Sequence, residues 1–308
     1  MYNVKLYNKI SKVGLDDLDA AKYTCSEDFT DYDAVLVRSA KLHEVEFPKD
    51  LKCIARAGAG VNNIPIDRCS QEGIVVFNTP GANANAVKEL VICALLLASR
   101  KVVQGANWVK GLKGTPDIGP AAEKGKSTYA GPEIAGKKLG IIGLGGIGQT
   151  VAGIANAFGM KVSAWNSHVP AQVFENLNVT PVEDMNELIS NSDVVSVHMP
   201  LLDSTRGIIT AKNLDALRPG TLFVNTARAE VIEPGALLAR LQRGDIPAAL
   251  DVFDHEPLAA DDPLCKIPGI VLTPHIAWRT DGAYIGMTKQ VVQSIAAFFK
   301  GEEFNVVV

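Results

Sequence analysis

The stretch Lys138-Leu-Gly-Ile-Ile-Gly-Leu-Gly-Gly-Ile-Gly-Gln-Thr-Val-Ala152 decides the fold of this chain. Its apolar start predicts a buried strand, and the residues that follow predict a helix running to about Phe158. Between the two, Gly143, Gly145 and Gly148 have the G-x-G-x-x-G spacing. Because this spacing lies between a strand and a helix, it is typical of a turn that binds a dinucleotide.

The glycines of this turn have different predicted roles. Gly143 allows the tight turn, Gly145 lets the backbone approach a pyrophosphate, and Gly148 lets the helix close on the strand. The N-terminus of the helix offers free N–H groups and a partial positive charge to the phosphates. Gly146 and Ile147 belong to the same predicted cofactor-binding turn.

The position after the second strand of such a unit usually distinguishes two forms of the dinucleotide. A carboxylate there holds the ribose 2′-hydroxyl, whereas an arginine attracts a 2′-phosphate. Here Asn166 and Ser167 follow the strand predicted at 161–165, so neither preference is encoded by charge. We expect NAD as the cofactor, and NADP is not excluded.

Short runs rich in Val and Ile alternate with helical patterns along the rest of the chain. This alternation predicts an α/β fold with parallel sheets that carry helices on both faces. The apolar run at 90–98 predicts a helix buried on more than one side, between domains or in a subunit interface. Residues 105–135 show no clear period and are expected to form a functional loop or an arm. The predicted strands lie at residues 3–7, 33–37, 52–57, 74–77, 139–143, 161–165, 193–197, 221–226, 247–252 and 269–272.

Length and composition limit the class of protein. The 308 residues suit two domains, and the net charge of −4 gives no sign of a nucleic-acid surface. The N-terminus lacks the layout of a signal peptide, and the longest apolar run is too short to span a membrane. The five cysteines form no C-x-x-C pair, which favours small reduced side chains over metal or redox work. We therefore expect a cytoplasmic protein without a metal centre.

Three side chains with catalytic chemistry follow predicted strands, where parallel sheets place their sites. Arg228 follows the strand at 221–226, Glu256 the strand at 247–252, and His275 the strand at 269–272. A histidine exchanges protons near neutral pH, and a carboxylate partner orients its ring and favours its protonated form. An arginine grips a carboxylate through two parallel hydrogen bonds. The set suits hydride transfer to or from a hydroxy acid.

A second glycine pair lies earlier, in Arg56-Ala-Gly-Ala-Gly-Val-Asn-Asn63. It also follows a predicted strand, but Asn63 replaces the third glycine of the dinucleotide spacing. Successive backbone N–H groups in such a turn can still hold a small anion. We interpret the segment as a substrate loop, with a plain turn as the alternative.

These motifs together resemble the D-isomer-specific 2-hydroxyacid dehydrogenases over nearly the whole chain. The resemblance is carried by the glycine turn and by the segments His198–Leu201, Asn225–Arg228, Ala249–Pro257 and Thr273–His275. It implies that Arg228, Glu256 and His275 are the catalytic trio and that Asp251 meets the nicotinamide amide. Beyond the glycine turn, Asn166 and Ser167, it implies cofactor contacts from His198, Pro200, Thr205, Thr226, Ala227, Asp251 and His275.

Within that family, the N-terminal half resembles the D-3-phosphoglycerate dehydrogenases. The residues that carry this resemblance are Val37-Arg-Ser39, Arg56–Val61 and Asn78–Asn83. The resemblance implies a phosphorylated substrate and a place in serine biosynthesis. The substrate-binding residues it implies are Arg38, Ser39, Arg56, Gly58, Ala59, Gly60, Val61, Asn83, Arg228, His275 and Trp278.

The resemblance also implies the organisation of the chain. A Rossmann cofactor domain at 99–281 is expected to be inserted in a flavodoxin-like substrate domain made of residues 1–98 and 282–308. It implies a homodimer built on the cofactor domain. Because the sequence ends at Val308, we expect a short form without a C-terminal regulatory domain.

Two departures keep other functions open. Asn166 stands where NAD-dependent members usually have Asp, and Trp278 stands where the phosphoglycerate enzymes usually have Ala. A large ring three residues after His275 favours members that reduce small 2-keto acids, such as glyoxylate and hydroxypyruvate. Some relatives with this fold are dinucleotide-sensing co-repressors, which makes a binding protein without turnover the alternative from a different class.

Overall fold

The computed structural model describes residues 1–166, 168–302 and 304–308. Short strands and helices alternate along it, as the sequence pattern predicts. The strands are β1 Tyr2–Tyr7, β2 Tyr23–Ser26, β3 Ala34–Val37, β4 Cys53–Arg56, β5 Val75–Phe77, β6 Lys138–Ile142, β7 Lys161–Trp165, β8 Thr180–Pro181, β9 Val194–Val197, β10 Leu222–Asn225, β11 Ala248–Leu250 and β12 Ile270–Leu272. Each predicted strand overlaps one of these.

The helices range from one turn to five turns. They are α1 Lys12–Leu15, α2 Ile66–Glu72, α3 Ala84–Arg100, α4 Val102–Gly111, α5 Ile118–Gly125, α6 Gly146–Ala157, α7 Ala171–Leu177, α8 Met185–Ser190, α9 Ala211–Asp215, α10 Ala236–Leu241 and α11 Asp281–Phe298. Short 3₁₀ turns lie at Lys126–Tyr129, Ala229–Val231 and Pro263–Lys266. Among the described residues, no helix is both long and apolar enough to cross a membrane.

The chain folds into two compact units, Met1–Ala86 with Trp278–Val308, and Val87–Ala277. It passes from the first unit to the second inside α3 and returns just before α11. The predicted division after residues 98 and 281 places both passages later in the chain. Which unit binds the substrate and which the cofactor stays a prediction at this point.

The first unit contains one parallel sheet with the order β2-β1-β3-β4-β5. This is the flavodoxin-like strand order, as expected. Alternate residues of β3 point to opposite faces because the side-chain period of a strand is two. On one face of the sheet, Leu36 packs with Met287 and Val291 of α11. On the other face, Val35 and Val37 pack with residues of α2.

The second unit contains a parallel sheet with the order β12-β11-β10-β9-β6-β7-β8. Read from β8, β6 is the third strand; β7 and β8 lie on one side of it and β9 to β12 on the other, so the strand order reverses between β6 and β9, which is the Rossmann pattern. The strands β9 and β10 are buried along their whole lengths, and Phe223 is fully enclosed. The two sheets confirm the predicted α/β fold with two doubly wound units.

The sequence missed two strands and misjudged one segment. The strands β2 and β8 lie at sheet edges, and β8 has only two residues, so neither carries a long apolar signal. Residues 105–135, expected to be irregular, contain most of α4, all of α5 and a 3₁₀ turn. No described residue of α4 or α5 is buried, and Gly105, Gly119 and Pro120 within them are residues that disfavour helix interiors.

Candidate functional site

The turn between β6 and α6 has glycines in two different surroundings. Gly143 has φ +97, and a Cβ there would lie 2.9 Å from the His198 carbonyl oxygen. A Cβ on Gly148 would lie 2.2 Å from the Gly143 carbonyl oxygen, so a larger residue would push α6 away from the strand. No described atom lies within 4 Å of a Cβ on Gly145 or Gly146. Two glycines are therefore required by packing, and two leave open space beside the first turn of α6.

Asn166 lies at the end of β7, beside this turn. Its side-chain oxygen accepts a hydrogen bond from the Leu144 backbone N–H at 3.0 Å. An amide at this position ties β7 to the glycine turn without adding negative charge. Ser167, which the sequence predicts to contact the cofactor, lies outside the described residues.

The segment after β9 is shaped by internal hydrogen bonds. His198 is buried, and its Nε2 lies 2.8 Å from the Ser196 hydroxyl oxygen. Burial lowers the pKa of His198 from 6.5 to about 4, so the ring is neutral near pH 7. Further along, the Thr205 hydroxyl donates to the Pro200 carbonyl at 2.7 Å and accepts from the Leu202 N–H at 2.8 Å. Thr205 thus closes the turn that begins at Pro200.

His275 and Glu256 form a directly paired dyad in the second unit. His275 Nδ1 lies 2.7 Å from Glu256 Oε2, and each side chain is 35% exposed. The other carboxylate oxygen, Oε1, accepts the Phe253 backbone N–H at 3.2 Å. A carboxylate requires a proton on Nδ1, so it fixes the tautomer in which Nε2 exchanges protons with another molecule. Both partners lie at the carboxyl edge of the sheet, after β11 and β12.

Asp251 holds the segment that carries His275. Its Oδ1 accepts from the Thr273 hydroxyl at 2.6 Å and from the Ile276 N–H at 2.9 Å, and its Oδ2 accepts from the Ala277 N–H at 2.8 Å. The carboxylate is 1% exposed. His275 has φ +52, which a side chain of this size rarely adopts without support. Asp251 supplies that support on both sides of the histidine.

Arg228 follows β10, in a loop organised by Asn225. The Asn225 side chain accepts from the Ala227 N–H at 3.0 Å and donates to the Arg228 carbonyl at 2.9 Å. The Arg228 guanidinium is half-buried and donates through Nη1 to the Ala227 carbonyl at 2.6 Å. The Thr226 hydroxyl is buried and has no partner among the described residues. This loop therefore offers both an unpaired hydroxyl and a guanidinium.

A concavity in the second unit joins several of these elements. Its floor is formed by Thr226, Asp251 and Thr273 at strand ends, and its wall by α3. The sequence did not predict a site role for Thr273, for Asn225 or for the α3 residue Cys93, which lines the wall. Polar residues beside strand ends were the available signal for the first two.

In the first unit, the predicted substrate residues lie at the carboxyl ends of β3, β4 and β5. Ser39 donates its backbone N–H to the Asn8 side-chain oxygen at 2.9 Å, which fixes the loop after β3. The Asn78 side chain donates to the Ala59 carbonyl at 2.7 Å and joins the loops after β4 and β5. Gly60 and Val61 lie in the same loop after β4.

Arg56 is held between a glycine and a buried amide. Its Nε donates to Asn63 Oδ1 at 3.2 Å, and Asn63 Nδ2 in turn donates to the Ala40 carbonyl at 2.8 Å. Gly58 has φ +154, and a Cβ there would lie 2.1 Å from Arg56 Nη1. Asn63 therefore links two loops and orients Arg56. From the sequence it was noted only as the residue that replaces the third glycine of the dinucleotide spacing.

Several buried polar atoms at this edge lack a protein partner. They are Arg38 Nε, Thr79 Oγ1 and Asn83 Oδ1, none of which has a hydrogen-bond partner in the described ranges. Native proteins pair nearly all buried polar groups, so unpaired atoms gathered at one sheet edge favour a ligand there. Trp278 belongs to the same unit and contacts Arg38.

The structure thus groups the predicted residues into two sets. The glycine turn, Asp251 and the trio of Arg228, Glu256 and His275 lie in the second unit, whereas the other predicted substrate residues lie in the first. Among the described residues, no cluster of His, Cys, Asp and Glu has the arrangement of a metal site. The cysteines are free, and Cys53 and Cys69 are buried.

Known proteins match this chain over most of its length. A family model described as "D-isomer specific 2-hydroxyacid dehydrogenase, NAD binding domain" matches residues 92–277, which is more than half of the chain. A D-3-phosphoglycerate dehydrogenase from Methanocaldococcus jannaschii is 35% identical over 280 residues, covering 90% of this chain and 51% of that protein. The chain spans about half the length of the phosphoglycerate dehydrogenases that it matches.

Two further comparisons cover most of both chains. A hydroxypyruvate reductase from Thermotoga maritima is 38% identical over 269 residues, covering 85% of this chain and 83% of that protein. Among solved structures, an acyclic imino acid reductase in complex with NADPH and D-Arg superposes with a TM-score of 0.82 at 25% identity. That match covers 100% of both chains.

Proposed function

Since the chain belongs to the D-isomer-specific 2-hydroxyacid dehydrogenases, we propose that it transfers a hydride between a nicotinamide dinucleotide and a D-2-hydroxy acid. The observation that carries the proposal is the His275–Glu256 pair, joined at 2.7 Å. Nδ1 faces the carboxylate, so proton exchange with substrate falls to Nε2. Arg228, in the loop after β10, supplies the guanidinium that would grip the substrate carboxylate.

The residues present fit a dinucleotide. The open space at Gly145 and Gly146 lies beside the first turn of α6, where pyrophosphates bind in Rossmann units. The unpaired Thr226 hydroxyl lies on the floor of the concavity and would hydrogen-bond a polar group there. The nicotinamide, when bound, supplies the hydride acceptor or donor. Asp251 already accepts three hydrogen bonds, so its predicted contact with the nicotinamide amide would use the remaining lone pair of Oδ2.

The chain's own residues would manage the proton. In the oxidation direction, Nε2 takes the hydroxyl proton as the hydride leaves carbon, and Glu256 stabilises the imidazolium that forms. In the reduction direction, the same imidazolium protonates the oxygen of the 2-keto acid. Glu256 keeps its position because the Phe253 backbone N–H holds its second oxygen.

We propose 3-phosphoglycerate and 3-phosphohydroxypyruvate as the substrate pair, in serine biosynthesis. The support is Arg38 and Arg56, which lie at adjacent strand ends, and the unpaired polar atoms beside them. Hydroxypyruvate or glyoxylate is the second candidate, and the hydroxypyruvate reductase and glyoxylate reductase relatives, at 38% and 34% identity, support it. The two candidate substrate classes differ in whether the substrate carries a phosphate.

NAD is the proposed cofactor, with NADP as the alternative that Asn166 leaves open. We also propose a homodimer. Its support is the apolar surface of the second unit, where Leu96, Val102, Val103, Val109 and Ile118 are exposed on α3, α4 and α5. The free cysteines suit a reducing compartment, so we propose that the protein acts in the cytoplasm.

The test is an activity panel. 3-Phosphohydroxypyruvate, hydroxypyruvate and glyoxylate are each offered with NADH and with NADPH, and cofactor oxidation is followed at 340 nm. Turnover of one or more 2-keto acids supports the proposal, and the ratio of kcat/KM values assigns substrate and cofactor. Tight NADH binding without turnover of any 2-keto acid would instead favour a dinucleotide-sensing binding protein.

A further inference from the structure

The Arg38 guanidinium packs against two aromatic rings of the first unit. Its Cζ lies 5.2 Å from the centroid of Trp278 and 5.7 Å from that of Tyr284. The two rings are themselves 5.1 Å apart and inclined at 55°. Both distances lie within the range of a cation–π contact. Tyr284, in the first turn of α11, was not among the predicted site residues.

This packing restricts how Arg38 presents its donors. An arginine has a flat guanidinium whose faces stack on rings and whose edge donates hydrogen bonds. Arg38 Cζ lies over both rings, and Nε is buried without a hydrogen-bond partner in the part of the chain that the structure describes. A buried donor is costly to leave unpaired, so the arrangement favours an acceptor that arrives with a ligand.

Arg56, on the neighbouring strand, is held by a different device. Its Nε is already engaged by Asn63, which belongs to the protein. The two arginines therefore differ in their Nε–H groups. That of Arg56 donates to Asn63, whereas that of Arg38 has no acceptor among the described residues. An oxyanion that binds an arginine side-on needs both Nε and a neighbouring Nη, and Arg38 has the Nε available for this.

We infer that Trp278 and Tyr284 are positioning residues that hold Arg38 for the second anionic group of the substrate. This inference rests on the proposed function, in which Arg228 grips the carboxylate next to the reacting carbon. Arg38 then binds a further anionic group of the substrate, such as a phosphate ester, within the first unit. Trp278 accordingly selects for a doubly anionic substrate through Arg38, and its bulk does not serve to exclude one.

The test uses two 2-keto acids that differ only in the phosphate, 3-phosphohydroxypyruvate and hydroxypyruvate. Trp278→Ala should raise KM for the phosphorylated substrate by about 5- to 30-fold, the loss expected for one desolvated cation–π contact. The loss should fall on KM more than on kcat, and the rise in KM should be at least about fivefold smaller for hydroxypyruvate, since the chemistry does not pass through Arg38. Trp278→Phe, which keeps an aromatic face, should recover most of the lost affinity.

Variants of the other partners sharpen the result. Tyr284→Phe should behave as the wild type, whereas Tyr284→Leu and Arg38→Lys should show the same phosphate-selective rise in KM. Phe47→Leu is the matched control, because it removes an arginine–aromatic contact of 4.2 Å at Arg68 without touching Arg38. Arg279 also lies over the Trp278 ring, at 5.7 Å, and is exposed. A selective loss on Arg279→Ala that matches Arg38→Lys would assign the anion to Arg279 and overturn the inference.

The remaining outcomes separate the inference from the proposed function. If Trp278→Ala raises both KM values equally, or lowers KM for the phosphorylated substrate, the positioning role is wrong while the dehydrogenase activity stands. The same holds if the wild type reduces hydroxypyruvate and does not turn over the phosphorylated substrate. If the wild type reduces neither compound nor glyoxylate, the proposed function itself fails, and the inference fails with it.

Discussion

Replacing Asp251 by Asn tests whether this carboxylate maintains the shape of the segment that carries His275. An Asn oxygen in the Oδ1 position still accepts from Thr273 and from the Ile276 N–H, at the positions now 2.6 and 2.9 Å away. The amide nitrogen then faces the Ala277 N–H, so a donor meets a donor where a 2.8 Å hydrogen bond existed. In the reverse orientation the amide nitrogen faces the Ile276 N–H instead, while the Thr273 hydroxyl turns to accept from it, so one backbone hydrogen bond is again lost.

The expected loss follows from these contacts. One charge-assisted hydrogen bond is removed and two are weakened, which lowers the free energy of unfolding by about 2–4 kcal/mol. The backbone of His275 is then expected to relax from its positive φ, since that conformation costs about 1–3 kcal/mol when nothing supports it. A relaxed segment moves Nε2 away from the substrate oxygen, and a displacement of about 1 Å lowers kcat by on the order of 10²-fold.

Two measurements check this reasoning. Urea unfolding at pH 7 gives the change in stability, and steady-state reduction of the best 2-keto acid gives kcat. Thr273→Val is the matched control, because it removes only the hydroxyl donor and leaves both backbone bonds; it should lose less than Asp251→Asn in both assays. An Asp251→Asn variant whose stability changes by less than about 0.5 kcal/mol and whose kcat stays within about threefold would refute the positioning role.

The structure also predicts the outcome of three further changes, one in pH and two in sequence. The pKa of His198 is about 4 in the folded chain and about 6.5 unfolded, so the unfolded chain binds more protons between these values and stability falls as pH falls. The wild type should therefore lose about 2 kcal/mol of unfolding free energy from this group between pH 7 and pH 5, and His198→Asn should not, as urea titrations at both pH values would show. Gly58→Ala should displace the Arg56 guanidinium, and it should raise KM more than it lowers kcat. Gly73→Ala is the control, because Gly73 also has a positive φ (+71) but no described atom lies near its Cβ; this variant should alter stability alone. Arg240→Met should lower the free energy of unfolding by about 2–4 kcal/mol while kcat per folded molecule is unchanged, because the buried Arg240 donates to the Leu214 and Leu217 carbonyls, at 3.1 and 2.9 Å.

The sequence predicted the sheets well because parallel strands buried on both faces have continuous apolar runs. The strands β9 and β10 are examples, and Arg228 was correctly expected to follow the end of β10. The strand β8 has two exposed residues at a sheet edge and leaves no such run. The helices α4 and α5 also escaped prediction, since Gly105, Gly119 and Pro120 within them disfavour a helix interior.

The candidate site was predictable in its charged members and not in the residues that orient them. Glu256 and His275 stood out because a carboxylate and a histidine each follow a strand, and the structure pairs them at 2.7 Å. Asn63 did not stand out, because its role depends on a contact with Ala40, 23 residues earlier in the chain. Tyr284 was likewise hidden within the apolar pattern of α11. Such residues act through distant parts of the chain, which local spacing does not encode.

The measurement that tests the central claim most directly is the kcat of His275→Ala for reduction of the preferred 2-keto acid. His275 is assigned the proton transfer, so kcat should fall by about 10²- to 10⁴-fold. His255→Ala, which removes an exposed histidine next to Glu256 in the chain, is the control and should keep its kcat. If His275→Ala turns over as fast as the wild type, His275 is not the acid–base group, and the mechanism built on the His275–Glu256 dyad is wrong.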